Sequence, residues 1–267
     1  ARELYDHGRE HLQRIVDEKL LQAKVAWGFW PAHAEGDDIV LFEDEGLFED
    51  EGLFEDDERT REKMRFCMLR QQEQKVDDDK PYRSLADFVA PAESGRRDYL
   101  GAFAVTAGLG SAELVSRFEA DHDDYGAIMT KALADRLAEA LAEKTHLEAR
   151  RAWSYGRDEE LSSHDLIAEK YRGIRPALGY PACPDHTEKD KLWRLLDAEK
   201  QAGIRLTEHF AMMPPASVSG LYFSHPDSRY FAVGKLGRDQ VADYAGRKGM
   251  SVAEVERWLM SNLSYDP

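Results

Sequence analysis

Leu4, His7, His11, Leu12, Ile15 and Val16 recur at the spacing of one helix face, which predicts a helix from the start of the chain to about Leu21. Trp27-Gly-Phe-Trp-Pro-Ala follows, where the proline is expected to end regular structure and the aromatics to serve as core or pocket wall. Ile39 to Phe42 reads as a strand, and Met64, Phe66 and Met68, alternating with Arg65 and Cys67, as another. Tyr99 to Thr106 is apolar enough to be a strand buried on both faces. From Ser111 the period turns helical: Glu113, Leu114, Phe118, Ile128, Met129, Leu133, Leu137 and Leu141 predict a helical region to about Ala152, broken near Gly126. Shorter helices are expected at Ser163 to Tyr171 and Glu188 to Lys200, and strands at Leu206 to Ala211, Gly220 to Ser224 and Arg229 to Val233. Helices at Arg238 to Arg247 and Ser251 to Leu259 close the pattern, the last opened by a Ser251/Glu254 capping box. Strands cluster instead of alternating with helices, so the predicted class is α+β with an antiparallel sheet.

Within this pattern Leu-Phe-Glu-Asp-Glu-Gly occurs at Leu41 to Gly46 and again at Leu47 to Gly52, and nearly again at Leu53 to Glu58. Solenoid units run to about 20 to 50 residues, so the acidic hexamers at 41–58 read as a solvated loop extension. The longest irregular stretch, about Val76 to Ser84, is short enough for a loop, and no linker divides the chain; residues 1–267 are expected to form one domain. The absence of an initiator Met suggests a part of a larger polypeptide.

Charge narrows the partners. Lys and Arg total 36 against 52 Asp and Glu, a formal charge of -16, and so acidic a surface repels phosphate backbones and anionic lipid. Nucleic acid and membrane are not expected partners, and no apolar run approaches the roughly 20 residues of a membrane helix. Cys67 and Cys183 are the only cysteines, too few for a disulfide framework, which points to a cytoplasmic location.

Several short motifs carry candidate chemistry. Thr106-Ala-Gly-Leu-Gly-Ser lies between a strand and a helix, but Glu113 stands where a dinucleotide fingerprint needs a small residue, which excludes a Rossmann methyltransferase. Cys183 and His186 have the spacing of half a zinc site without the other half, and Asp121-His-Asp-Asp reads as a helix cap or a solvated face, so no metal is expected. No nucleophile elbow or P-loop occurs. The informative stretch runs from Arg172 to Lys189. Pro176, Gly179, Pro181 and Pro184 stiffen it, and it either holds the Arg175 guanidinium for a carboxylate or keeps Arg175 in a structural ion pair.

Gly36-Asp-Asp-Ile, Leu85-Ala-Asp-Phe-Val-Ala-Pro, Asp98-Tyr-Leu-Gly-Ala-Phe-Ala-Val-Thr, Asp121-His-Asp-Asp-Tyr, the Arg175-Pro-Ala-Leu-Gly-Tyr-Pro-Ala-Cys-Pro loop and Ser217-Val-Ser-Gly-Leu-Tyr-Phe-Ser-His-Pro occur in one order. In that order the chain resembles the C-terminal activation domain of cobalamin-dependent methionine synthase over almost its whole length. The resemblance implies a C-shaped α+β domain with a twisted antiparallel sheet, lacking an Asp-Trp-containing N-terminal segment. It implies binding of S-adenosylmethionine for reductive methylation of cob(II)alamin, with cobalamin held mainly by a neighbouring domain of the same polypeptide and an electron supplied by flavodoxin or a similar flavoprotein. It assigns Arg175 to the ligand carboxylate, Glu139 to its amino end, Tyr230 and Phe231 to an aromatic wall near the sulfonium, and Ala177, Gly179 and Tyr180 to the adenosine. No side chain is expected to act as a catalytic acid or base. The alternative is a stand-alone S-adenosylmethionine-binding regulatory subunit.

If the hexamers form a solvated extension, deleting Leu47 to Glu58 leaves a cooperatively unfolding domain, because loop closure changes by only about 0.6 kcal/mol per doubling of loop length. Urea denaturation of the deletion variant checks this, and loss of a cooperative transition contradicts it.

Overall fold

The computed structural model describes residues 2–43, 61–75 and 80–267. In chain order it comprises α1 (Arg2–Asp17), β1 (Gln22–Glu35), β2 (Asp38–Phe42), β3 (Glu62–Cys67), β4 (Asp98–Leu109), α2 (Ser111–Ala120), α3 (Asp124–Ala152) and α4 (Ser163–Ile167). There follow α5 (Glu188–Leu196), α6 (Ala198–Ala202), β5 (Arg205–Leu206), β6 (Met212–Met213), β7 (Ser217–Tyr222), α7 (Arg238–Lys248) and α8 (Val252–Trp258). Five strands form one sheet in the order β3-β2-β1-β4-β7, every neighbouring pair antiparallel. The α+β expectation holds. Of the hexamer region, Leu41 and Phe42 belong to β2, not to a loop, and residues 44–60 lie outside the described residues.

β4 organises the core because its two faces pack against different layers. Leu100, Ala102 and Ala104 point into a cluster with Leu192, Trp193, Leu196 and Ala202 of α5 and α6. The alternate residues Phe103, Val105 and Ala107 point into clusters with Ala134, Ala138, Ala142 and Ala149 of α3. A further cluster joins Cys67 and Leu69 to Val241, Tyr244, Val255 and Leu259 of the C-terminal helices.

Several boundaries differ from the sequence expectation for identifiable reasons. β1 does not stop at Pro31; the residue pairs with Tyr99 of β4, whereas pairing with β2 begins only at Ala32. The missing N–H therefore falls where, among the described residues, β1 has no ladder partner on its other side, a position at which a strand tolerates proline. The long helical region is two helices, with Asp123 capping α3 through the Gly126 N–H at 2.8 Å. On α3 the Leu series is not the main contact: Leu133, Leu137 and Leu141 are half-buried and Ile128 is 66% exposed, while an alanine stripe faces the sheet. Small side chains let the helix approach the strands closely. The strand expected at Leu206 to Ala211 is replaced by the short β5/β6 pair, and Arg229 to Val233 forms no regular element. The Ser251/Glu254 capping box is present.

Two helical glycines give opposite expectations for one substitution. A Cβ at Gly126 falls 2.5 Å from the Phe118 ring, so overpacking of about 1–3 kcal/mol outweighs alanine's propensity advantage of about 1 kcal/mol. At the exposed Gly246 of α7 a Cβ meets nothing within 4 Å. Gly126→Ala therefore lowers, and Gly246→Ala raises, the urea midpoint at unchanged slope.

Candidate functional site

The stiff loop after α4 reaches the site by borrowing the open edge of β7. Ile174 N–H donates to Phe223 O at 3.1 Å, Phe223 N–H to Ile174 O at 3.0 Å, and Leu221 N–H to Pro176 O at 3.0 Å. With Ile174 buried in the core cluster on one side, the next side chain, Arg175, turns to the other, towards α3. Beyond Pro176 the chain leaves the edge and closes a tight turn, Gly179 N–H to Cys183 O and Cys183 N–H to Tyr180 O, both 2.8 Å. Val233 N–H donates to Pro181 O at 2.8 Å and ties the 229–233 segment to the same turn.

Where loop and strand diverge, a cavity of about 550 Å³ opens. Six of the expected residues line it: Glu139 from α3, Arg175, Ala177 and Tyr180 from the loop, and Tyr230 and Phe231. Gly179 does not. It adopts φ +87°, and the His186 ring occupies the space a Cβ would need, so the glycine is required by the turn. Of Trp27, Phe29 and Trp30, expected as core or pocket wall, none lines the cavity; Trp30 and Phe29 pack against the core, Phe29 on Trp153 with ring centroids 4.5 Å apart, and Trp27 is exposed.

Of the two roles left open by its sequence context, the structural ion pair is present, and the guanidinium is not fully occupied by it. Its Nη2 is 2.8 Å from Glu143 Oε2, its Nη1 donates to the Tyr171 hydroxyl and lies 3.4 Å from His146 Nδ1, and its backbone N–H donates to Tyr230 Oη at 3.1 Å. Nε–H has no hydrogen-bond partner among the described residues, so one side of the guanidinium remains available to a carboxylate. Burial works against the Arg175 charge, but Tyr171 and Glu143 outweigh it and the pKa is raised.

Behind Arg175 lies a buried polar layer. His146, fully buried, stacks on Tyr222 with centroids 4.9 Å apart and planes within 6°. Burial, followed by the charges of Arg150 and Arg175, lowers its pKa to about 2. The ring is therefore neutral, and its position beside the Arg175 donor assigns the acceptor role to Nδ1. Arg150, also fully buried, pairs with Glu159 at 2.9 Å and lies 3.9 Å above the Tyr171 ring. Glu143 and His146 went unnoticed in the sequence, although they follow Glu139 by four and seven residues and so share its side of α3. Lys189, Met212, Ser217 and Ser219 also line the cavity; both serines belong to the Ser217-Val-Ser-Gly motif, but nothing in the sequence marked them as site residues.

A family described as vitamin B12 dependent methionine synthase, activation domain, matches residues 1–249. The chain belongs to this family. It is also similar to the crystal structure of the MetH reactivation domain bound to AdoHcy, with 52% identity and a TM-score of 0.92, over 100% of this chain and 78% of that one.

Other sequence candidates have structural places in this activation domain. Cys183 is buried, which pushes its thiol pKa well up, and His186 packs on Gly179. Among the described residues no group of three or more His, Cys, Asp or Glu is placed to hold a metal ion. Thr106 to Leu109 completes β4, and Gly110, at φ +88°, opens α2. No helix among the described residues is long and apolar enough to cross a membrane.

The neutrality of His146 has a measurable consequence. Its folded pKa lies below the unfolded value of 6.5, so the unfolded chain takes the proton first. The His146 contribution is present above pH 6.5 and is lost as pH falls, by up to about 1.4 kcal/mol per pH unit. Urea denaturation from pH 6.5 to 5.0 is expected to show a steeper loss for the wild type than for His146→Phe, which keeps the ring stack; equal slopes contradict buried, neutral His146.

Proposed function

We propose that this domain binds S-adenosylmethionine in the cavity beside β7 and presents its methyl group to cobalamin held by another domain of the same polypeptide. In this reading the domain serves reductive methylation of cob(II)alamin in the cytoplasm, with the electron coming from a reduced flavodoxin or similar flavoprotein. One observation carries the reading: a cation with a free donor, Arg175, and a carboxylate, Glu139, line a single small-molecule-sized cavity. That pairing suits an amino-acid zwitterion. Family membership supports this reading over a stand-alone regulatory subunit.

The residues fit such a ligand in chemistry as well as size. Arg175 accepts the carboxylate on its Nε side while Glu143 and Tyr171 hold the rest of the guanidinium in place. Glu139 faces the ammonium. Tyr230, fixed through its hydroxyl to the Arg175 backbone, offers a ring face to the sulfonium, and Phe231 extends that wall. Ala177 and Tyr180 line the adenosine side, while Gly179 shapes their turn. The Ser219 hydroxyl, buried on the wall and without a hydrogen-bond partner among the described residues, is a further polar group facing the ligand. S-adenosylmethionine supplies an already activated methyl group, so the domain's contribution is positioning, without a side-chain acid or base. Tyr180, 64% exposed, stands at the mouth where the cobalamin domain would approach.

Arg175→Ala removes a charge-assisted contact worth about 1.5–3 kcal/mol, so calorimetry with S-adenosylmethionine is expected to show binding about 10- to 150-fold weaker. Arg175→Lys recovers part of the loss, because an ammonium keeps the charge without the planar fork. Arg172 is the control: its Nε donates to Ser224 O at 2.6 Å, and its side chain does not line the cavity. Equal losses for Arg172→Ala and Arg175→Ala, or no loss from a folded Arg175→Ala protein, contradict the assignment.

A further inference from the structure

The cavity contains a second cation that the reading above does not use. Lys189, in the first turn of α5, lines the wall and is only 7% exposed. Its Nζ donates to Phe210 O at 3.2 Å and lies 3.2 Å from His186 Nδ1. The neighbouring carboxylates are engaged by other lysines: Glu188 by Lys191 and Lys248, and Asp185 by Lys248. Lys189 itself forms no ion pair among the described residues. Burial, with nothing opposing it, lowers its pKa. Two neutral partners leave an ammonium with one unused N–H, and a buried donor without an acceptor is costly.

The contacts of Lys189 and Arg175 separate the two cations on the cavity wall. Arg175 meets Glu143, His146, Tyr171 and Tyr230; Lys189 meets His186, which packs on the Gly179 turn, and Phe210, which leads into β6. The cavity residues contributed by those latter segments, Tyr180, Pro181, Ala182 and Met212, present mostly apolar surface. An apolar slot with one cationic donor suits a flat heterocycle bearing an uncharged acceptor better than a hydroxyl-rich sugar or a second carboxylate.

We propose that Lys189 is the purine-recognising residue of this site, donating its remaining ammonium proton to a ring nitrogen of the adenine of an S-adenosyl ligand. The assignment rests on the proposed S-adenosylmethionine reading and extends it to the base. The exocyclic amine of adenine is a donor, so N1, N3 and N7 are the possible acceptors. Lys189 thereby selects ligands that place an unprotonated ring nitrogen in the slot.

Calorimetry with S-adenosylhomocysteine and its 1-deaza, 3-deaza and 7-deaza analogues, on the wild type and Lys189→Met, tests this. One deaza analogue is expected to bind the wild type about 10- to 150-fold more weakly than the parent compound. Lys189→Met is expected to weaken the parent by a similar factor and to bind that analogue with no further loss. The proposal is overturned if no deaza analogue loses affinity for the wild type, a result independent of whether the variant folds. It is equally overturned if folded Lys189→Met binds the parent as tightly as the wild type, or if the two losses add. A wild type that binds no S-adenosyl compound overturns the S-adenosylmethionine reading together with this one, whereas tight wild-type binding unaffected by Lys189→Met overturns only the role of Lys189.

Discussion

The pairing of Ile174 and Pro176 with the edge of β7 is the constraint on which the site depends. Three backbone hydrogen bonds, to and from Leu221 and Phe223, fix the register of an otherwise irregular segment. Once Ile174 is committed to the core, alternation along the extended backbone sends Arg175 to the α3 side. The prolines that follow cannot prolong the ladder as donors, so the chain leaves β7 and the cavity opens at the divergence. Strand edge, cavity and arginine are consequences of one register.

Charge buried behind this edge determines orientation more than stability. Arg175 is held by Glu143 and Tyr171, and the Tyr171 ring is in turn covered by Arg150. A comparable arrangement lies on the far side of the loop, where Lys248 reaches Asp185 and Glu188 at 2.6 Å each and Cys67 N–H donates to Glu188 at 3.2 Å. Buried pairs of this kind can contribute little net stability, yet removing one partner costs about 3–5 kcal/mol because the other is left uncompensated. They thus penalise every displacement of the loop relative to α3, α5 and α7. The proposed positioning of a zwitterion at this site would benefit from that stiffness.

The two faces of β4 connect this site to the rest of the fold. α3 can place Glu139 on the cavity wall and Glu143 and His146 behind it because its alanine stripe lies directly against Phe103, Val105 and Ala107. Larger residues on that stripe would hold the helix away from the sheet and move all three side chains from the loop. α5, packed on the opposite face, brings Lys189 in from another direction, so the cavity wall draws on both layers.

Local pattern was enough to read the strands Ile39 to Phe42 and Tyr99 to Thr106, the helices of the C-terminal region and the Ser251/Glu254 box, because short-range periodicity and capping govern them. Six of seven candidate site residues meet at one cavity, and their motifs were visible in order along the chain. What the sequence alone determined was which segments are regular, which loop is stiff, and which residue types bear charge. Tertiary structure alone decided that Pro31 falls just outside the β1–β2 register, that alanines and not leucines form the main contact of α3, and that Arg175 shares its guanidinium with Glu143. It also brought Lys189 to the cavity wall. Each of these depends on the distance between segments remote in the chain, and periodicity, which records only the direction in which a side chain points along its own element, carries no information about that distance.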